Sequence, residues 1–194
     1  MFNIQAPSLL FIVFSLTSLN SVAGQDCTSY ISDEDYYDLK DNITISKQEK
    51  VIITDFAERL IGDWRGELQQ IECKGNIKKP EKLIDSSYAK LEIKEHSKDH
   101  LKMKASVDFR KKNKKTVYLR PFLERRYIQS YTFNGPDILF LTEKNYQHSR
   151  QYGGNVLIET IYKIIISDEA LQLDIITYSN GFFSVEERWN LERW

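Results

Sequence analysis

Four acidic residues in the C-terminal part of the chain are of a type that could do acid–base chemistry. Glu186 and Glu187 are adjacent, and Glu159 and Asp174 lie in earlier strand-like runs. Neighbouring residues of a β-strand point to opposite faces, so at most one of Glu186 and Glu187 can face an interior. A carboxylate buried there could orient a ligand or act as a general base with a raised pKa. Such carboxylates more often lie on a solvated outer face, so both interpretations stay open.

Metal-binding and nucleophilic chemistry have little support in the sequence. His96 and His100 flank a predicted turn beside Glu95, and the third histidine is His148. Two ring nitrogens could serve a metal ion, but no third ligand stands at a recognised spacing. The sequence contains no Gly-x-Ser-x-Gly motif, no Walker loop and no Cys–His pairing. We therefore predict no metal site and assign no catalytic residue.

The elements that must position these residues are one helix and a series of strands. Ser46 and Glu49 have the spacing of a capping box, and apolar residues then recur at helical intervals up to Gly62. This pattern predicts an amphipathic helix over about residues 47–61. Beyond Trp64 polar and apolar residues alternate, which is typical of half-buried strands. Clusters of turn residues separate the runs at 97–99, 111–115, 134–137, 153–155, 167–169 and 179–181.

Short connections of this kind join antiparallel neighbours. The fold class predicted is therefore all-β, an antiparallel up-and-down β-barrel of about eight to nine strands preceded by one N-terminal amphipathic helix. Pro121 interrupts the run from Thr116 to Phe133 and indicates an edge or a break between two strands.

The segment Gly62-Asp63-Trp64 after this helix, with an arginine in the last strand, resembles the floor motif of the lipocalin-type or wider calycin-type β-barrels. The resemblance covers about residues 46–194. It implies that Trp64 plugs the barrel floor, that Gly62 gives the backbone room there, and that Arg188 or Arg193 lies across the indole as a cation–π partner. The Thr-Asp-Tyr of the second lipocalin signature is missing from the sequence, so a calycin-like relative outside the typical lipocalins is the better description.

The resemblance implies that the barrel mouth binds a small hydrophobic ligand or lipid. Heme-binding barrels of this shape use a late-strand histidine, and residues 156–194 have none, so we expect no heme and no other cofactor. Seven aromatic residues are available to line the cavity: Tyr118, Phe122, Tyr127, Tyr131, Phe140, Tyr162 and Tyr178. A calycin-type isomerase or lyase that uses an inward carboxylate is the alternative, and whether the protein is an enzyme stays open.

A third hypothesis rests on charge. Residues 74–126 carry 17 basic and seven acidic side chains, although the whole chain has a net charge of −1. This region could contact an anionic surface such as phosphate-bearing lipid. Regular alternation already explains most of its lysines as the solvated outer face of a sheet. Nucleic acid is not an expected partner of an exported protein.

The N-terminal residues indicate export. Residues 1–24 contain no charged side chain, an apolar core at 9–14 and small residues at 21–24, which is the pattern of a cleavable signal peptide. We predict a secreted or periplasmic protein with an acidic polar tail at 25–45 and a lipocalin-like barrel domain at 46–194. Cys27 and Cys73, the two cysteines, predict one disulfide. Asn42 begins a glycosylation acceptor that would matter only in a eukaryotic host.

An integral outer-membrane barrel is the alternative architecture. A terminal Trp194 fits such a barrel, but the residues at alternate positions before it are Glu192, Asn190 and Arg188. A lipid-facing strand needs apolar side chains at those positions. The sequence therefore favours a protein that is not embedded in a membrane.

Overall fold

The computed structural model describes residues 27–28, 47–76, 79–97, 100–109, 114–124, 127–149 and 154–194. The predicted signal peptide, almost all of the acidic tail and Asn42 lie outside these residues. One helix precedes nine β-strands. Their bounds are α1 (Lys47–Leu60), β1 (Gly62–Asn76), β2 (Lys79–Ser97), β3 (His100–Phe109), β4 (Lys114–Phe122), β5 (Ile128–Phe133), β6 (Ile138–Ser149), β7 (Gly154–Ile166), β8 (Ala170–Ser179) and β9 (Phe182–Arg193).

The nine strands form a single antiparallel sheet that curls into a half-barrel. Its order is β4-β3-β2-β1-β9-β8-β7-β6-β5, so the first and last strands pair with each other. The all-β up-and-down fold and the preceding helix are as predicted. Across the described ranges no hydrogen-bonded ladder joins β4 to β5, which leaves a seam between these two edges. Pro121, which cannot donate a ladder hydrogen bond, lies near the end of β4 at the predicted break.

Alternating side chains of each strand point to the concave side, here called the inner face. Trp64 and Leu68 of β1, Leu91 of β2 and Trp189 of β9 share this face and are at most 2% exposed. Helix α1 packs against these side chains, and its residues Phe56 and Leu60 belong to the same core. The end of the half-barrel nearest α1, called the floor, is therefore filled with apolar side chains. Their burial is the main driving force for this fold.

β1 and β9 approach each other closely because of one glycine. A Cβ atom at Gly66 would lie 2.1 Å from the carbonyl oxygen of Asn190. No side chain can be accommodated against backbone at that distance.

Two further contacts attach the ends of the fold. Cys27 and Cys73 form the predicted disulfide, with a Cα–Cα distance of 5.5 Å. Arg59 of α1 donates to Asp137 Oδ1 at 2.7 Å and to the Pro136 carbonyl at 2.8 Å, which ties the helix to the β5–β6 turn.

Candidate functional site

The floor is closed by an indole and a guanidinium. Trp64 is completely buried, and its Nε1 donates to the Leu60 carbonyl at 3.0 Å. The Arg193 guanidinium carbon lies 4.3 Å from the centroid of the Trp64 ring. Arg193 also donates to the carbonyls of Arg59 and Asp168, both at 3.0 Å. The carbonyls at a helix C-terminus have no intrahelical partner and attract a cation. One side chain thus joins α1, β9 and the β7–β8 turn.

Of the two arginines expected at this position, Arg193 is the one in contact. In the ladder Trp64 is paired with Arg193. A Cβ atom at Gly62 would come within 3.0 Å of Arg193 Nη1, so the glycine leaves room for the guanidinium. Arg188 does not reach the floor. It lies on the outer face of β9 and donates from Nε to Glu186 Oε1 at 2.6 Å.

Away from the floor the inner face becomes polar. Arg120 on β4 donates from Nη2 to Glu187 Oε2 on β9 at 2.7 Å, and Trp189 Nε1 donates to the same oxygen at 3.2 Å. The Arg120 and Glu187 side chains are 32% and 13% exposed, so the ion pair lies in the interior of the half-barrel but keeps some contact with solvent. Burial lowers the pKa of Arg120, but the combined effects of Glu187, Tyr162 and Glu143 outweigh it and leave the pKa above its usual value.

A second buried carboxyl lies across the half-barrel. Glu143 on β6 accepts the Tyr162 hydroxyl at 3.0 Å and the backbone N–H of Glu124 at 2.8 Å. Glu124 follows β4, so Glu143 connects the two sides of the seam. Burial raises the pKa of Glu143 to about 7, against the opposing effect of these hydrogen bonds. Burial also raises the pKa of Tyr162 well above its usual value. A carboxyl that titrates near neutrality can donate or accept a proton.

The charged and hydroxyl-bearing side chains on this part of the inner face are together called the interior polar cluster. It consists of Tyr118, Arg120, Glu143, Tyr162 and Glu187. Tyr118 lies on the same face of β4 as Arg120 and is 37% exposed; burial, followed by the charges of Glu187 and Glu72, raises the pKa of its hydroxyl. The cluster draws on four strands, β4, β6, β7 and β9.

The predicted cavity-lining aromatic residues divide between the two faces. Tyr118, Phe122, Tyr131 and Tyr162 are paired in the ladders with inner-face residues, namely Ala105, Leu101, Leu141 and Ile175. Phe122 and Tyr162 are in edge-to-face contact at 5.7 Å between centroids. Tyr127 lies in the turn before β5, where its N–H donates to the Glu124 carbonyl.

Phe140 and Tyr178 lie on the outer face of the sheet. Phe140 lies between the buried inner-face residues Leu139 and Leu141, so its side chain points to the outer face. Tyr178 is paired with Glu159 and Phe183 on the outer face, and its ring packs edge-to-face on Phe183 at 6.1 Å.

The carboxylates singled out from the sequence also separate. Glu187 faces inward and Glu186 faces outward, as alternation requires. Glu159 and Glu186 are both 3% exposed although they lie on the outer face, and the Oε2 atom of each lacks a hydrogen-bond partner within the described structure. Asp174 accepts a hydrogen bond from Gln172 on the same strand. Glu187 therefore lies on the opposite face of the sheet from the other three carboxylates.

His96 and His100 lie at the β2–β3 turn, away from the interior polar cluster. The rings of His96 and His100 are 4.8 Å apart, and His100 Nδ1 is 3.0 Å from the Ser97 hydroxyl. Among the described residues, no three acidic, cysteine or histidine side chains are grouped closely enough to hold a metal ion. The outer-face lysines Lys94 and Lys104 both pair with Glu92.

A groove of about 300 Å³ lies between α1 and the β2–β3 hairpin. Ile53 and Ala57 of the helix, with Leu101 and Leu123, form its apolar wall. It is separate from the interior polar cluster.

Sequence reasoning missed Arg120 and Glu143. A signal was present, since Arg120 alternates with the aromatic residues Tyr118 and Phe122, and Glu143 continues the alternation of Leu139 and Leu141. Strand alternation places these charged residues on the same face as their apolar neighbours.

Comparisons with known proteins add no family to this description. Neither a scan against protein-family models nor a search of curated proteins gives a match. Over the part of the chain that could be searched, no helix has the length and apolar character needed to span a bilayer.

Proposed function

We propose that the chain is an exported, lipocalin-like binding protein that holds a small molecule at the polar end of the half-barrel interior. The observation that carries this proposal is the Arg120–Glu187 ion pair on the inner face. An ion pair inside a protein is costly to desolvate and is seldom needed to fill a core. A few fixed polar groups beside aromatic rings are the usual composition of a ligand site.

The proposed ligand is amphipathic rather than wholly apolar. The floor is already filled by Trp64, Leu91 and Trp189, which leaves little room for a long hydrocarbon chain. Phe122 and Tyr162, whose rings are in edge-to-face contact, lie on the same face of the sheet as Arg120. A molecule with a compact apolar body and one polar group fits these surroundings.

Export is part of the proposal. It is supported by the signal-like residues 1–24 and by the Cys27–Cys73 disulfide, which is compatible with an extracellular protein.

Two tryptophan substitutions on adjacent residues of β7 test the proposal. Thr160 shares the face of Tyr162 and pairs with Glu143, whereas Ile161 points outward and is 36% exposed. The probe is N-phenyl-1-naphthylamine, an uncharged dye that fluoresces in apolar sites. The wild-type protein and Ile161→Trp should bind it, and Thr160→Trp should bind it about tenfold or more weakly, because an indole would occupy the interior. No binding by the wild type, or equal binding by both variants, would contradict the proposal.

A second candidate function is acid–base catalysis in the same interior. The observation that favours it is Glu143, whose pKa of about 7 and contact with Tyr162 would suit a proton-transfer step in an isomerase or lyase. In that case Glu143→Gln would abolish turnover of a bound compound while dye binding is retained. Turnover that survives this substitution would exclude Glu143 as the catalytic group.

A further inference from the structure

The groove between α1 and the β2–β3 hairpin, here called the helix–hairpin groove, is a cavity that the proposed binding function does not use. Its volume is about 300 Å³, at the lower end of the range of small-molecule sites in proteins. Residues of α1 line one side of the groove, and residues of the hairpin line the other. A ligand bound here would be separate from one held at the interior polar cluster.

The base of the helix–hairpin groove is apolar. Ile53, Leu101 and Leu123 line the groove and are at most 5% exposed, so they lie at its bottom. Ala57 and Ile61 line it as well, and both are partly buried against the hydrophobic core. A compact apolar body that covers these side chains would be removed from water, which favours binding.

The rim of the groove is acidic. Glu58 of α1 and Glu95 of β2 line it from its two sides, and both residues are exposed to solvent. Neither carboxylate makes an ion pair within the described structure. Counting histidine as neutral, the described residues that line the groove carry two negative charges and no positive charge. A ligand carboxylate or phosphate would therefore be repelled.

The local structure gives these two carboxylates no other role. Glu58 lies in the last turn of α1, where the partial negative charge of the helix C-terminus disfavours a carboxylate. By contrast, Glu92 lies on the outer face of the strand that carries Glu95 and pairs with both Lys94 and Lys104. The two rim carboxylates are thus available to a cation supplied from solution.

We propose that the helix–hairpin groove is a binding site for a small organic ammonium ion, namely a primary or secondary amine on a compact apolar body. The ammonium group binds between Glu58 and Glu95 at the rim, and the apolar body packs on Ala57, Ile61 and Leu101 below. This inference does not depend on the proposed function, which concerns the half-barrel interior.

Three compounds that share a phenylethyl group test the charge of the ligand. They are 2-phenylethylammonium, 2-phenylethanol and 3-phenylpropanoate, each titrated into methyl-labelled wild-type protein and followed by NMR. The amine should bind about fivefold or more tightly than the alcohol, as expected for contacts with two solvent-exposed carboxylates, and the carboxylate should bind most weakly. Equal affinity for the amine and the alcohol, tightest binding by the carboxylate, or no binding by the amine would overturn the proposal.

The same titrations locate the site. The methyl signals of Ala57 and Leu101 should shift when the amine binds, because both residues line the groove. The methyl signals of Ile175, which is completely buried on the inner face, should stay unchanged. Shifts centred on Ile175 would place the amine in the half-barrel interior and would overturn the proposal.

Carboxylate variants identify the groups that bind the ammonium. Glu58→Gln and Glu95→Gln should each reduce the preference for the amine over the alcohol, and the double variant should lose it. Both residues are exposed, so these substitutions should leave the protein folded. Asp55→Asn is the matched control, because Asp55 is an exposed carboxylate of the same helix that does not line the groove, and it should keep the preference. A preference retained in the double variant would overturn the proposal.

Discussion

The carboxyl of Glu143 should make the stability of this protein depend on pH in an unusual direction. Its pKa rises from 4.5 in the unfolded chain to about 7 in the folded protein, chiefly because of burial. A raised carboxyl pKa means that the folded protein binds the proton more tightly than the unfolded chain does. The stability from this group is therefore fully present below pH 4.5 and is lost as the pH rises through 7.

The size of the effect follows from the two pKa values. A shift of one pKa unit corresponds to 1.36 kcal/mol, so the rise from 4.5 to about 7 corresponds to about 3 kcal/mol. The nearby Glu124 raises the pKa of Glu143 and Arg120 lowers it, so the pKa of about 7 is the net result of burial, hydrogen bonds and these two charges. A loss of this size is a large part of the stability of a typical domain.

The assay is urea unfolding of the wild type and Glu143→Gln at a series of pH values from 4.5 to 8. Glutamine resembles the protonated carboxyl, since its oxygen can accept from Glu124 and its amide can donate to Tyr162. The free energy of unfolding of the variant should rise relative to the wild type by about 3 kcal/mol over this range. Glu67→Gln removes an exposed carboxylate of β1 and controls for the change in net charge. A Glu143→Gln difference that stays flat, or that falls with pH, would refute the reasoning.

Three further predictions concern the framework. Gly66→Ala should lower the free energy of unfolding by more than about 2 kcal/mol in urea titrations, because its Cβ would meet the Asn190 carbonyl. Gly154→Ala, which has open space around its Cβ position, should change the free energy of unfolding by less than about 0.5 kcal/mol. Similar values for the two variants would argue against the clash. Arg193→Gln should cost about 1–2 kcal/mol in the same titrations through loss of the contact with Trp64 and the helix end, and an unchanged urea midpoint would show that the contact adds nothing. Reduction of the disulfide, whose cysteines are 46 residues apart, should cost about 4 kcal/mol, seen as a lower midpoint in dithiothreitol; equal midpoints would disprove this contribution.

The elements of the fold are predictable because their signals are local. The capping box and helical spacing predict a helix that the structure places at Lys47–Leu60. Each predicted turn from 97–99 onward overlaps the connection between two consecutive observed strands. The exception is the connection between β1 and β2. Gly75-Asn76 is a weak turn signal, and the sequence alone does not predict a hairpin there. A clear cluster of turn-forming residues is the signal by which a hairpin is predicted from a single sequence.

The orientation of side chains was harder to predict. Ile138 to Leu141 is an unbroken apolar run, so period-two alternation does not show which of its members faces inward. The structure resolves this ambiguity, because Leu139 and Leu141 are buried on the inner face and Phe140 faces outward. The choice between Arg188 and Arg193 depends on the β1–β9 register, which pairs Trp64 with Arg193 and is not encoded within either strand.

Alternation indicates the face of Arg120 and Glu143, but the contacts within the interior polar cluster could not be predicted because the partners are far apart in sequence. Arg120 and Glu187 are separated by 67 residues, and their contact requires the sheet to curl until β4 faces β9. Glu143 and Glu124 are 19 residues apart, on opposite sides of the seam. A charged residue in an alternating strand resembles an ordinary surface residue until such a partner is found.

The pairing of β1 with β9 has a consequence for the order of folding. β9 is the last of the nine strands in sequence, yet it occupies the middle of the sheet. Strands β1–β4 and β5–β8 can each form local hairpins as they are synthesised, but the two meanders have no shared ladder until β9 arrives between them. Contacts of such long sequence separation form slowly. The chain therefore stays incompletely folded until its final strand is available, a state that suits the export proposed for it.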